Sequence, residues 1–188
     1  MTWQLGAALF VGALTWSLLE YLIHRWLGHG SRARRNPFGV EHVRHHIEGN
    51  YFAPAWKKLT AVALVAVLVG IPATLLAGRI GAAYAIGLLG FYVVYETLHR
   101  LEHVWEGISP YGRWARRHHF THHFSDARVN FGVTSPLWDF VFRTYQAPTL
   151  IVVPRKLSMD WLLDPATGKM LPQFAQTYVL AKSSDGAR

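Results

Sequence analysis

Apolar positions fall into three long runs. The first extends from Trp3 to Ile23, interrupted by Gln4, Ser17 and Glu20. The second, Leu59 to Ala77, carries no charge, and the third, Ile80 to Leu98, carries Glu96 near its end. At a rise of about 1.5 Å per residue, runs of this length match a hydrocarbon core of about 30 Å. They predict membrane-spanning helices over 3–23, 59–77 and 80–98. Only Gly78 and Arg79 separate the last two. That spacing predicts a tight helical hairpin, because open backbone is not tolerated in lipid.

Three spans put the two ends of the chain on opposite sides, and charge decides which side is which. Segment 24–58 carries seven basic residues: Arg25, Arg32, Arg34, Arg35, Arg44, Lys57 and Lys58. Segment 99–188 carries eleven, and the hairpin turn carries only Arg79. The positive-inside rule therefore predicts that both long segments are cytoplasmic and that the N-terminus faces outward. The first run lacks the basic start and cleavage site of a signal peptide, so it reads as a retained span.

Composition sharpens this picture. Hydrophobic residues make up 51% of the 188 and charged residues only 16%, against about 25% charged in ordinary soluble domains. Eight tryptophans and eight tyrosines suit the boundary between water and lipid. The absence of cysteine excludes disulfides and thiolate metal sites. The net charge of +8 tracks one side of the membrane rather than any nucleic-acid recognition motif, so no nucleic-acid partner is expected. Segment 104–117, with Trp105, Tyr111, Arg113, Trp114, Arg116 and Arg117, reads as an interfacial helix or lid. Residues 149–188 hold a short apolar run (LIVV), Pro154, a turn around Asp164–Gly168 and a polar end. No chemistry is legible there.

The eleven histidines occur in four groups: His24 and His29; His42, His45 and His46; His99 and His103; His118, His119, His122 and His123. A span followed by HxₙH, a loop and HxxHH thus occurs twice, and the predicted topology puts all four groups on one side. Residues at i, i+3 and i+4 share a helix face, so HxxHH and HxxxH each present a set of imidazoles together. His24 and His29 are about 140° apart on an ideal helix. That angle suits a loosening helix end, or ligands that reach different metals. Imidazole suits iron, zinc, copper and nickel. About ten histidines exceed the needs of one ion and fit two. Glu102, beside His103, reads as a surface or cap carboxylate or as a hydrogen-bond acceptor behind a ligand.

With these boxes the sequence resembles the fatty acid hydroxylase superfamily, whose pattern Hx₃₋₄H, HxxHH, Hx₂₋₃H, HxxHH is matched without a gap. EYLIHRWLGH (20–29) and NFGVTSPLWDFVFRTY (130–145) resemble its fatty acid 2-hydroxylase branch. The likeness runs over about residues 15–146. It implies metal ligation by His24, His29, His42, His45, His46, His99, His103, His119, His122 and His123. Asn130 and Asp139 match positions near the family's site, where they would stand behind the ligands and orient their rings, or else serve as a turn residue and a helix cap. His118, which precedes the HxxHH triplet, would stand behind the ligands or be a bystander. The likeness implies two iron ions, with zinc an alternative occupant in purified protein, and dioxygen as co-substrate. It further implies a membrane lipid substrate. The cytochrome b5 domain fused to many relatives is not among these 188 residues, so the expected electron donor is a separate ferredoxin or cytochrome b5-like protein.

The fold expectation is all-α: a single domain over 1–188, an integral membrane helical bundle with a cytoplasmic helical cap holding a histidine-rich dimetal site. Segments 24–58 and 99–146 would form the cap, and 147–188 a tail. The expected activity is hydroxylation of a lipid C–H bond, most naturally in a fatty acyl chain. A carotenoid or sterol-type oxygenase would use the same boxes. A metal transporter would need ionisable residues along mid-span, and the second run has none.

Overall fold

The computed structural model describes residues 2–182; Met1 and positions 183–188 of the expected tail lie outside the described residues. Helix α1 (Thr2–Leu22) passes directly into a π-helical segment, Ile23–Gly28. Helix α2 (Pro37–Glu48) starts at Asn36, whose side chain accepts from Gly39 N at 2.8 Å, with Pro37 at the first helical position. That cap and proline satisfy the start of the helix without an intrahelical partner. Helix α3 (Ala55–Val65) continues through a π-helical segment, Ala66–Gly70, into α4 (Ile71–Val104).

Helix α4 is not straight. At Gly78 the backbone takes φ 54° and ψ −129°, a conformation that a side chain would strain. The chain doubles back there. Gly81 lies so close to Ala73 that an added Cβ would sit 1.8 Å from the Ala73 carbonyl oxygen. Farther along, Gly70 faces Ala85, and Lys58 pairs with Glu96 at the open end. These are the partners expected of two arms folded about residue 78, as the sequence pattern predicts.

Helix α1 packs on the second arm and runs parallel to it. A Cβ on Gly12 would sit 2.1 Å from the Tyr84 carbonyl oxygen, and one on Gly87 2.0 Å from that of Leu9. Further along, the Trp16 ring stands edge-on to Tyr92 at 4.8 Å. The small residues let the backbones approach closely. Both helices therefore end at the same end of the bundle, carrying His24 and His99 there together.

The outward faces are apolar, with Leu75 80% and Leu76 88% exposed. Water does not tolerate such a continuous surface on a monomer. The helical segments Thr2–Gly28 and Ala55–Val104 are long and apolar enough to cross a membrane. The chain is a membrane protein.

Beyond the bundle lie α5 (Pro110–Phe124) and the short α6 (Leu137–Val141). The tail corrects the all-α expectation. Strand β1 (Ile151–Val153) pairs in parallel with β2 (Tyr178–Leu180), Ile151 opposite Tyr178. Four β-branched residues, Thr149, Ile151, Val152 and Val153, lie between Pro148 and Pro154, a sequence that favours extended chain. These strands close a small core of Phe120, Ile151, Val153, Met159, Leu162 and Tyr178. The fold is thus mostly helical, with a small β element packed on α5. Within segment 104–117, Trp105 and Tyr111 are exposed, while Arg116 is buried rather than interfacial. Its Nε donates to the Glu102 carbonyl at 2.8 Å, its Nη2 to that of Trp105, and its guanidinium lies 4.0 Å from the Trp161 ring centroid.

Candidate metal centre

Ten imidazoles gather into two groups of five. His24, His29, His42, His46 and His122 form one; His45, His99, His103, His119 and His123 form the other. Within each group the offered ligand atoms lie within 4.8 Å of one another.

The helices explain the partition. In α2, His42 and His46 are four apart and enter the first group, while His45 turns into the second. In α5, His119 and His123 are four apart and enter the second group, while His122 turns into the first. Residues at i and i+4 are nearly aligned on a helix, and i+3 lies on the far side of i. Each HxxHH box therefore serves both pockets, with reversed allegiance. Where the pockets meet, the His46 and His123 rings stack at 4.0 Å, 6° from parallel.

His24 and His29 fall in the same group, in keeping with the loosening helix end that their spacing also suited. The π-helical segment is the reason. His29 N bonds the His24 carbonyl at 3.2 Å, an i→i+5 link that brings residues five apart onto one face.

The donor set fits metal ions. His24 Nδ1 faces the Phe131 carbonyl at 2.5 Å, His122 Nδ1 that of Val129 at 2.8 Å, and His45 Nδ1 that of Tyr51 at 2.7 Å. A carbonyl only accepts, so each Nδ1 carries the proton and each Nε2 presents a lone pair. Yet His24 Nε2 lies 3.0 Å from His122 Nε2, and His122 Nε2 lies 2.9 Å from His29 Nε2. His29 Nε2 in turn lies 2.7 Å from His42 Nε2, itself 3.0 Å from His46 Nε2. In the second pocket the Nε2 pairs His45–His99 and His103–His119 lie at 3.0 and 3.1 Å. Metal–imidazole bonds of about 2.1 Å meeting near 90° place neighbouring nitrogens about 3.0 Å apart. Both ring nitrogens of His123 are sealed from solvent with no hydrogen-bond partner among the described residues, as suits a ligand position.

Burial keeps the rings neutral. It holds His29 and His45 down to about 4 and lowers His42, His46, His119, His122 and His123 as well. A neutral imidazole is the form that binds metal.

The expected supporting residues act through backbone. The Asp139 carboxylate accepts from Phe131 N at 2.8 Å, Gly132 N at 2.9 Å and Thr144 Oγ1 at 2.7 Å, and meets His118 Nε2 at 3.2 Å. It touches no imidazole of either group. It holds instead the strip whose Phe131 carbonyl fixes His24. His118 lies outside both groups, buried between Trp114 and Tyr145. Asn130 takes the turn-residue alternative rather than a contact with a ligand ring. Its Nδ2 donates to the carbonyls of His118 and Gln146, and Oδ1 accepts from Gln146 N. Its φ of 55° suits asparagine in a left-handed turn.

Two buried carboxylates lie near the site. Glu102 is fully buried rather than at a surface, with neither oxygen hydrogen-bonded among the described residues. Glu20 accepts from Val133 N at 2.6 Å, Thr134 N at 3.0 Å and Thr134 Oγ1 at 2.8 Å, which ties the same strip to α1. Alongside it, Arg25 donates to Tyr21, whose hydroxyl meets Thr144 Oγ1 at 2.9 Å. Sequence reasoning assigned Glu20 no role; an acid inside an apolar run is the signal that could have found it, since a buried carboxylate must be satisfied.

Fold and site together define a helical membrane protein with paired, imidazole-lined pockets able to hold metal ions. The family model that matches, fatty acid hydroxylase, covers residues 9–144, and the chain belongs to that family. It is 33% identical over 155 residues to the dihydroceramide fatty acyl 2-hydroxylase FAH2 of Arabidopsis thaliana, covering 75% of this chain and 61% of that protein. It is 31% identical over 146 residues to the ceramide very long chain fatty acid hydroxylase SCS7 of Saccharomyces cerevisiae, with 73% and 38% covered. The fatty acid 2-hydroxylase of Homo sapiens is also 31% identical, over 71% of this chain and 38% of its own. The chain thus spans less than two thirds of each of these relatives. Among solved structures, full-length Scs7p with only its hydroxylase domain visible superposes with a TM-score of 0.57 at 28% identity, covering 78% of this chain and 62% of that one.

Proposed function

We propose that this chain is a membrane-bound di-iron hydroxylase that oxidises a C–H bond of a lipid, a fatty acyl chain above all. Dioxygen is the co-substrate, and a separate ferredoxin or cytochrome b5-like protein supplies electrons. The observation that carries the reading is the gathering of ten neutral imidazoles into two pockets whose Nε2 lone pairs face one another.

The ten histidines are the metal ligands in this reading, five to each ion. Two irons, when bound, supply the redox chemistry that activates dioxygen toward a C–H bond; zinc suits the same donors. The chain's own part is to hold and orient. Phe131, Val129 and Tyr51 fix ring tautomers through their carbonyls, which aims each Nε2 lone pair inward. Glu20 and Asp139 hold the 131–134 strip in place. Burial of the rings excludes water and protects the oxidation from side reactions.

The single domain spans the membrane at 3–23, 59–77 and 80–98. Segments 24–58 and 99–146 carry the site at the cytoplasmic face, the tail follows, and the N-terminus faces outward. This placement lets a substrate stay in the bilayer while one carbon meets the centre. The test is anaerobic iron loading followed by a single turnover with labelled dioxygen and lipid mass spectrometry. One labelled oxygen gained by an acyl lipid is the expected result. Oxygen gained by a carotenoid, with acyl chains untouched, would overturn the substrate assignment.

A further inference from the structure

Segment 131–144 lies along one face of α1. Trp138 Nε1 donates to Ser17 Oγ at 3.1 Å, and Thr134 Oγ1 to Glu20 Oε2 at 2.8 Å. The Phe142 ring stacks on Tyr21 at 5.1 Å, 12° from parallel, and the Phe131 carbonyl meets His24 Nδ1. Positions 17, 20, 21 and 24 are i, i+3, i+4 and i+7, a single helix face. Ser17 lies six residues before Ile23, where the first apolar run ends. At about 1.5 Å per residue, the contact reaches about 9 Å back along the helix. The short α6 therefore sits beside the span and not beyond its end.

The backbone of this segment is satisfied as lipid requires. Residues 131–134 are buried and belong to no helix or strand. Their four consecutive N–H groups all end on carboxylates. Phe131 and Gly132 donate to Asp139 at 2.8 and 2.9 Å, and Val133 and Thr134 to Glu20 at 2.6 and 3.0 Å. Beside water such groups need no protein partner. At membrane depth, irregular backbone persists only where the protein supplies every partner.

The other side of α6 is apolar and uncovered. Leu137 is 43%, Phe140 57% and Val141 56% exposed, whereas Asp139 is fully buried. Asp139 is the only charged residue from Val129 to Phe142, and it points inward. Arg143 follows and is exposed, where a long basic side chain can reach the lipid phosphates. An uncovered apolar patch marks a site of contact, and this one is continuous with a helix that crosses lipid.

We propose that residues 131–142 form a re-entrant element, with Leu137, Phe140 and Val141 immersed in the acyl chains of the leaflet beside the metal centre. The partner of this face is the lipid itself. The proposal rests on α1 crossing the membrane and not on the hydroxylase reading. Because Asp139 is the inward residue of the same helix, the strip whose Phe131 carbonyl fixes His24 is mounted on a lipid-borne support.

The chain has no cysteine, so single introduced cysteines can carry nitroxide labels without further change. The metal-loaded full chain is labelled in turn at Leu137→Cys, Val141→Cys, Phe10→Cys and Lys169→Cys, all at exposed positions, and placed in phosphatidylcholine vesicles. Power saturation compares collisions with oxygen, which concentrates in lipid, against those with a water-soluble nickel chelate. The logarithm of the oxygen-to-nickel ratio should be positive at 137 and 141, as at 10 on the span, and negative at 169 in the tail. Nickel-favoured collisions at 137 and 141, with oxygen favoured at 10, overturn the proposal. Spin–spin broadening at 141 that vanishes when labelled chains are diluted with unlabelled ones also overturns it, because a second copy would then cover this face. Nickel-favoured collisions at 10 remove the span and the proposal together. Lipid depth at 137 and 141 in a protein that never oxidises lipid supports the proposal and defeats the hydroxylase reading instead.

Discussion

His24 Nε2 and His122 Nε2 lie 3.0 Å apart, although each ring has already committed its Nδ1 proton to a backbone carbonyl. Two lone pairs at that distance repel unless a cation sits between them. Chelation of the purified protein is therefore expected to lower its melting temperature, and iron, cobalt or zinc to restore it. At a hundredfold excess over Kd a ligand that binds only the folded state adds about 2.7 kcal/mol. Differential scanning fluorimetry in neutral detergent reads this directly. A melting curve indifferent to both treatments would mean that protons, not metals, bridge these nitrogens.

His45 and His46 are neighbours in sequence but belong to different pockets. Substitution of either by alanine should deplete a different ion. Pairs of substitutions make the assignment testable by metal content alone. His45→Ala with His103→Ala removes two ligands from one pocket and should cost one ion per chain. His45→Ala with His122→Ala strikes both pockets and should cost both. Equal losses from the two combinations would refute the partition. His122→Ala alone should also abolish activity.

How far the sequence carries depends on which spacing is read. The i, i+4 pairs His42/His46, His99/His103 and His119/His123 are legible because a regular helix aligns them. Their cross-allegiance is not legible, since His45 and His122 turn into the opposite pocket only once α2 and α5 face each other. The five-residue gap between His24 and His29 needed a π-helical segment, which no simple residue pattern announces. The hairpin at Gly78 was legible from two apolar runs and a two-residue break. Glu102 and Arg116 were misplaced because charge alone suggests a surface, and only packing beneath Trp161 explains the burial of Arg116. The tail strands escaped notice because three-residue segments carry almost no periodic signal.

Acid should destabilise the metal-free protein in a defined window. Burial holds His29 and His45 down to about 4 in the folded state, whereas in the unfolded chain they titrate near 6.5. Above about 6.5 both states are neutral and these two rings add no pH dependence. Between about 6.5 and 4 only the unfolded state takes up their protons, so stability falls as pH falls. Other buried rings, lowered as well, add to the decline. Thermal melts of chelated protein across this range should show a steadily falling midpoint. A midpoint that rises on acidification would reverse the sign and the argument with it.

Asp139 supports the first pocket without touching it. Asp139→Ala leaves Phe131 N, Gly132 N and Thr144 Oγ1 without their acceptor, and buried donors left unpaired cost about 1–3 kcal/mol each. The variant should lose about 3 kcal/mol or more of stability on that scale. Its metal content should fall first in the pocket of His24, whose tautomer depends on the Phe131 carbonyl. Cobalt titration followed by optical absorption separates a one-pocket loss from a general one. Two pockets filling as in the parent protein would show that the strip holds its place without this carboxylate.

Trp161 lies beyond the family-matched residues 9–144, yet it reaches the second pocket. Its indole Nε1 donates to the His103 carbonyl at 2.9 Å, and its ring faces the Arg116 guanidinium at 4.0 Å. Arg116 in turn holds the Glu102 and Trp105 carbonyls at the end of α4. The tail thereby braces the helix end that carries His99 and His103. Trp161→Phe removes the hydrogen bond and keeps a ring over Arg116, so the expected cost is about 1 kcal/mol. Trp161→Ala also empties a packed site and should cost about 3–5 kcal/mol. If the bracing reaches the metal, the alanine variant loses the ion of the His103 pocket before that of the His24 pocket, at a temperature where the protein is still folded. Simultaneous loss of both ions with unfolding would confine the tail to general stability.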